Sequence, residues 1–96
     1  MIRHIVMWKF KEGTQKEMQE FLDGLMALKG QIEVIRRMET GFSVNNENSY
    51  DAVLVCDFDS MEHLKSYQND PRHLKVAALC KEIRISRADV DYEIEG

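Results

Sequence analysis

A single proline, two cysteines and only five glycines leave this 96-residue chain few places to bend sharply or be cross-linked. Cys56 and Cys80 show no CxxC spacing, so they read as reduced structural thiols rather than a redox pair or a disulfide framework. No apolar run approaches the roughly 20 residues of a membrane span, and no basic amphipathic helix suits a membrane surface. The N-terminus reads as a strand rather than a signal segment, which makes the cytoplasm the expected compartment. Basic residues are the minority, 13 against 17 acidic, giving a net charge of −4. A nucleic-acid partner would call for the opposite sign. Three histidines without HxxxH spacing give no metal site. No repeat, linker or low-complexity stretch divides the chain, so residues 1–96 are expected to form one domain.

What is present is alternation. In "IRHIVMWKFK", Ile2, His4, Val6, Trp8 and Phe10 share one face of a strand, and Arg3, Ile5, Met7 and Lys9 share the other. Gly13 stops the strand, and Thr14 with Glu17 predicts a capping box. Met18, Phe21, Leu22, Leu25 and Leu28 follow at helical spacing, with Gly30 as the expected C-cap. The stretch from 31 to 44 leans toward β structure, "NNENS" reads as a turn, and "YDAVLVCDF" alternates as a strand. Asp59 or Ser60 is expected to cap a helix that ends near Asn69. Asp70 and Pro71 then start a shorter helix to about Lys81. "ADVDYEI" closes the chain as a strand.

The order β-α-β-β-α-β predicts an α+β, ferredoxin-like domain with an antiparallel four-stranded sheet. Helices should cover the face bearing Val6, Trp8, Phe10, Leu54, Cys56 and Phe58, together with Val90 and Tyr92. The opposite face would show Ile5, Met7, Val53 and Val55 within a rim of Arg3, Lys9, Asp51 and Asp57. An apolar centre with a charged rim suits an interface better than solvent. A homodimer packing these faces would close an α+β barrel.

"HIVMWKFKEGT" at 4 to 14, "YDAVLVCDFDSMEHLKSYQNDPRH" at 50 to 73 and "VDYE" at 90 to 93 resemble the stress-responsive A/B barrel (Dabb) domain. The resemblance implies a small dimeric α+β barrel, usually cytoplasmic. Most such proteins have no assigned activity, some plant members are stress proteins, and others cyclise linear polyketides without a cofactor. In that last branch a histidine on the first strand, a late helical tyrosine and a histidine just after the proline line the pocket. The matching positions are His4, Tyr67 and His73.

The residues themselves leave two readings of that trio. His4 is either a core histidine bonded to a backbone carbonyl or part of a site. His73 is either an exposed imidazole at a helix corner or the wall of a pocket. If the three meet, the imidazoles can act as bases and the phenol as donor to a developing oxyanion, with no cofactor. Val6, Trp8, Leu25 and Leu54 are the expected apolar walls. His63 falls on a charged helix face and is expected in solvent. The Asp89, Asp91 and Glu93 run reads as a solvated or interface face. The function then divides among a homodimeric binder of a small apolar or aromatic molecule, a cofactor-free enzyme of the polyketide-cyclase type, and a dimeric-barrel monooxygenase. The last is disfavoured because no haem motif is apparent.

Overall fold

The alternation and the single proline translate directly into secondary structure in a computed structural model, which describes residues 1–96. Strand β1 (Ile2–Phe10) leads through a turn at Gly13, whose φ of 78° favours glycine, into helix α1 (Gln15–Ala27). The predicted capping box does not form. The Thr14 hydroxyl instead donates to the Lys11 carbonyl at 2.6 Å and ties the turn together. Helix α1 tightens into a 3₁₀ turn, Leu28–Gly30, so Gly30 is not the left-handed cap that was expected. Strand β2 occupies only Arg37–Phe42. Residues 31–36 are irregular, with Ile32 and Ile35 buried in the core.

Strand β3 (Ala52–Phe58) is followed by α2 (Met61–Asn69), where the Ser60 hydroxyl accepts from the His63 backbone N–H. Asp70 is extended, as a residue before proline prefers, and its carboxylate accepts from the Arg72 N–H at 2.8 Å. Helix α3 (Pro71–Ile83) outruns the expected end at Lys81, and β4 (Arg84–Glu93) begins at once.

The four strands form one antiparallel sheet in the order β2-β3-β1-β4, with the helices on one face. That is the ferredoxin-like plan, its second helix broken at the proline. Val6, Trp8, Phe10, Leu54, Cys56 and Phe58 are buried beneath the helices as the alternation predicts. Trp8 meets Phe21 edge-on at 5.0 Å between ring centres. Gly24 of α1 lies so near α3 that a Cβ there would stand 3.1 Å from the Val76 side chain.

Strand β4 reverses the expected assignment. Its register sets Asp91 opposite His4 and Asp89 opposite Val6, so these acids share the helix-side face. Val90 stands opposite Ile5 and Tyr92 opposite Arg3 on the open face, and both are about half exposed. Placing the apolar set of β4 on the helix side holds only where helices cover the sheet. They do not cover this edge, so acids there still reach water.

The open face is therefore larger than expected. Its central row runs Glu39, Val55, Ile5, Val90, and the next runs Gly41, Val53, Met7, Ala88. Asp57 is not a solvated rim residue. It is buried, and the Arg3 guanidinium grips it with bonds of 2.8 and 2.9 Å. That grip holds the Asp57 carboxyl below the ordinary carboxylate range.

Candidate functional site

A chamber of about 80 Å³ lies between the helix-side face of β1 and β3 and the inner sides of α1, α2 and α3. His4, Val6, Trp8, Leu25, Leu54, Tyr67 and His73 all line it. Ile5, Met7, Val53 and Val55 lie on the other side of the sheet, half-buried and away from it.

His4 is buried, and its Nδ1 lies 2.5 Å from the Asp91 carboxylate rather than against a backbone carbonyl. A carboxylate can only accept, so the proton sits on Nδ1 and the lone pair of a neutral ring sits on Nε2. No protein group bonds that Nε2. Asp91 was missed because strict alternation made it an outward residue. Its partner becomes evident only when β4 is paired with β1.

Tyr67 closes the last turn of α2. Its ring packs against Phe58 at 5.2 Å and His73 at 4.4 Å between centres. Its hydroxyl is buried and has no hydrogen-bond partner in the protein. Burial pushes the phenol's pKa up, so it stays protonated and able to donate.

The break at Asp70–Pro71 folds α3 back over α2, and His73, on the first turn, returns to cover Tyr67. Its Nδ1 donates to the Gln68 carbonyl at 3.1 Å. The stretch is a corner and a chamber wall at once. Burial holds the His73 pKa below the ordinary value; the bond to Gln68 opposes this, and His4 and Arg87 reinforce it.

That depression carries a stability consequence. Above the ordinary histidine value of about 6.5 the ring is neutral folded or unfolded. As pH falls through that value the unfolded chain takes up a proton first, so the fold weakens until the folded ring also protonates. Urea midpoints are expected to be lower at about pH 5 than at about pH 8, and His73→Gln should shrink the difference. An identical difference in wild type and variant would remove His73 as the cause.

His63 departs from expectation. It is half-buried rather than solvated, and its Nδ1 is enclosed without a protein partner. It does not line the chamber. Gln68, Lys81, Arg84 and Arg87 line the chamber and were not singled out from sequence. The available signal was helical spacing: Ala77 and Lys81 follow His73 at successive steps of four on α3. Cys80 also faces the chamber, but burial raises its pKa, and that of Cys56 is pushed up to about 12. Neither thiol is primed as a nucleophile.

The family model of the stress responsive A/B barrel domain (Dabb) matches residues 2–94. An uncharacterised protein of Streptomyces coelicolor is 33% identical over 86 residues, covering 85% of this chain and 89% of that one. A crystal structure from Bacteroides fragilis, a dimeric protein of unknown function with a ferredoxin-like fold, superposes with a TM-score of 0.91 at 31% identity. The match covers 97% of this chain and 95% of that one. The hydroxynitrile lyase of Passiflora edulis superposes with a TM-score of 0.86, covering 98% and 93% of the two chains. At 16% identity it shares the fold alone.

Proposed function

The chain belongs to the stress-responsive A/B barrel domain family, and on that premise we propose that it is a homodimer whose protomers each hold a small organic molecule in the chamber. One observation carries the binding half of this reading: the Tyr67 hydroxyl is buried, protonated and unpartnered, and Tyr67 lines one chamber together with two imidazoles. A buried donor left without an acceptor costs about 1–3 kcal/mol, which a ligand oxygen would relieve. The apolar open face and the dimeric Bacteroides neighbour support the assembly.

The chamber's size narrows the occupant. At about 80 Å³ it is smaller than the roughly 150 Å³ cavity that accepts benzene and far below the roughly 300–1,000 Å³ of drug-sized sites. A molecule of a few heavy atoms suits it, or the reactive end of a longer one. A linear polyketide coiled inside does not.

The His4–Asp91 pair supports a second reading, a cofactor-free proton-transfer enzyme. Asp91 orients the imidazole, Nε2 would take a proton from a carbon acid, and Tyr67 would donate to the enolate oxygen.

The test of binding is a titration with short-chain aldehydes, ketones and carboxylic acids, followed through the ring resonances of His4 and His73. At least one compound is expected to move both. His73→Ala should keep the fold and weaken that compound by about 1 kcal/mol, roughly fivefold. Shifts scattered over the surface, or unchanged affinity in both His73→Ala and Tyr67→Phe, would remove the chamber as the site.

A further inference from the structure

We propose that the molecule held in the chamber is a short keto acid, its carboxylate seated against Lys81, Arg84 and Arg87 and its keto oxygen accepting from the Tyr67 hydroxyl. This rests on the chamber reading above and narrows it to a chemical class. The chain is acidic overall, with a net charge of −4, yet these three cations line the chamber and no carboxylate does. Two elements, α3 and β4, bring them together. Lys81 continues the His73 stripe of α3, Arg84 begins β4, and Arg87 stands opposite Trp8.

Gathering like charges is unfavourable unless something answers them. The nearby acids are largely committed elsewhere. Asp91 is bonded to His4, and Asp89 takes only one nitrogen of Arg87 at 2.6 Å. Lys81 and Arg84 make no ion pair within the chain. Arg87's charge reaches the interior, where it disfavours protonation of His73.

The deeper wall supplies the second recognition element. Tyr67 is fully buried, and its hydroxyl lacks any acceptor. An anion leaving water needs charged donors, and arginine presents a planar fork that fits a carboxylate. A carboxylate at the cationic side and a carbonyl at Tyr67 would satisfy both ends with one short molecule. The small volume keeps the two groups close, as in a 2- or 3-keto acid.

Acetoacetate and acetoacetamide nearly share a shape and differ in charge, so titrating both isolates the carboxylate. Acetoacetate is expected to bind about tenfold more tightly or better, with the preference shrinking at high salt. Arg84→Gln and Lys81→Gln, which break no ion pair, should each lower acetoacetate affinity several-fold and leave acetoacetamide unchanged. Tyr67→Phe should weaken both probes. Equal binding of acid and amide, or a preference that survives the cation variants singly and combined, overturns the keto-acid assignment. If Tyr67→Phe still weakens both in that case, the chamber reading stands. If neither probe moves the His4 and His73 resonances, both fall together.

Discussion

Val55→Asp is expected to turn the proposed homodimer into a monomer at low micromolar concentration while leaving each protomer folded. Val55 occupies the middle of the open face, between Ile5 and Glu39 in register, with Val53 and Met7 in the adjoining row. Within one protomer it is half exposed and points away from the core, so the substitution should cost the isolated fold little. The neighbouring Glu39 adds a small like-charge penalty. In a two-fold interface the same change enters twice. Each unpaired carboxylate buried there costs several kcal/mol, against about 8–12 kcal/mol for association in the micromolar to nanomolar range. Losing about half of that shifts the dissociation constant by several decades. Sedimentation should report twice 11.2 kDa for the wild type and 11.2 kDa for the variant, with matching far-ultraviolet spectra. A variant that still sediments as a dimer moves the interface off this face, and a monomeric wild type removes it.

The core face was legible in sequence because periodicity and burial agree wherever helices lie over the sheet. Val6, Trp8, Phe10, Leu54, Cys56 and Phe58 obey that rule. The break at Asp70–Pro71 was legible for a local reason, the steric limit on the residue before proline. Strand β4 was not. Alternation identifies two faces but not which one is covered, and on an edge strand the helix-side face can stay wet. Assigning Val90 and Tyr92 to the core displaced Asp91, and with it the partner of His4. That partnership spans 87 residues of sequence, so no local pattern announces it. His63 illustrates the opposite failure. Its flanking charges suggested solvent, yet it sits half-buried in the first turn, its backbone N–H given to Ser60. The cationic lining was missed for a third reason. Lys81, Arg84 and Arg87 look like ordinary surface charges until α3 and β4 are folded around one space.

Tyr67→Phe is expected to stabilise the free protein and impair its binding. Most substitutions at a fully buried aromatic destabilise, because they open a cavity. This one keeps the ring and its contacts with Phe58 and His73, and removes only the hydroxyl. That hydroxyl is enclosed without a protein partner, so the native state carries a desolvation cost that the unfolded chain, bonded to water, does not. Removing it should recover about 1 kcal/mol or more, which for a domain of this size raises the melting temperature by about 4–8 °C per kcal/mol. A ligand that accepts from Tyr67 reverses the order. Wild type then gains about 2.7 kcal/mol at a hundred times its dissociation constant, while the variant, binding more weakly, gains less. Melting curves with and without acetoacetate should therefore converge or cross: Phe higher without ligand, Tyr catching up or overtaking with it. A variant that melts lower without ligand would mean the hydroxyl is satisfied inside the free protein. It would then no longer single out the chamber as a place that lacks an acceptor.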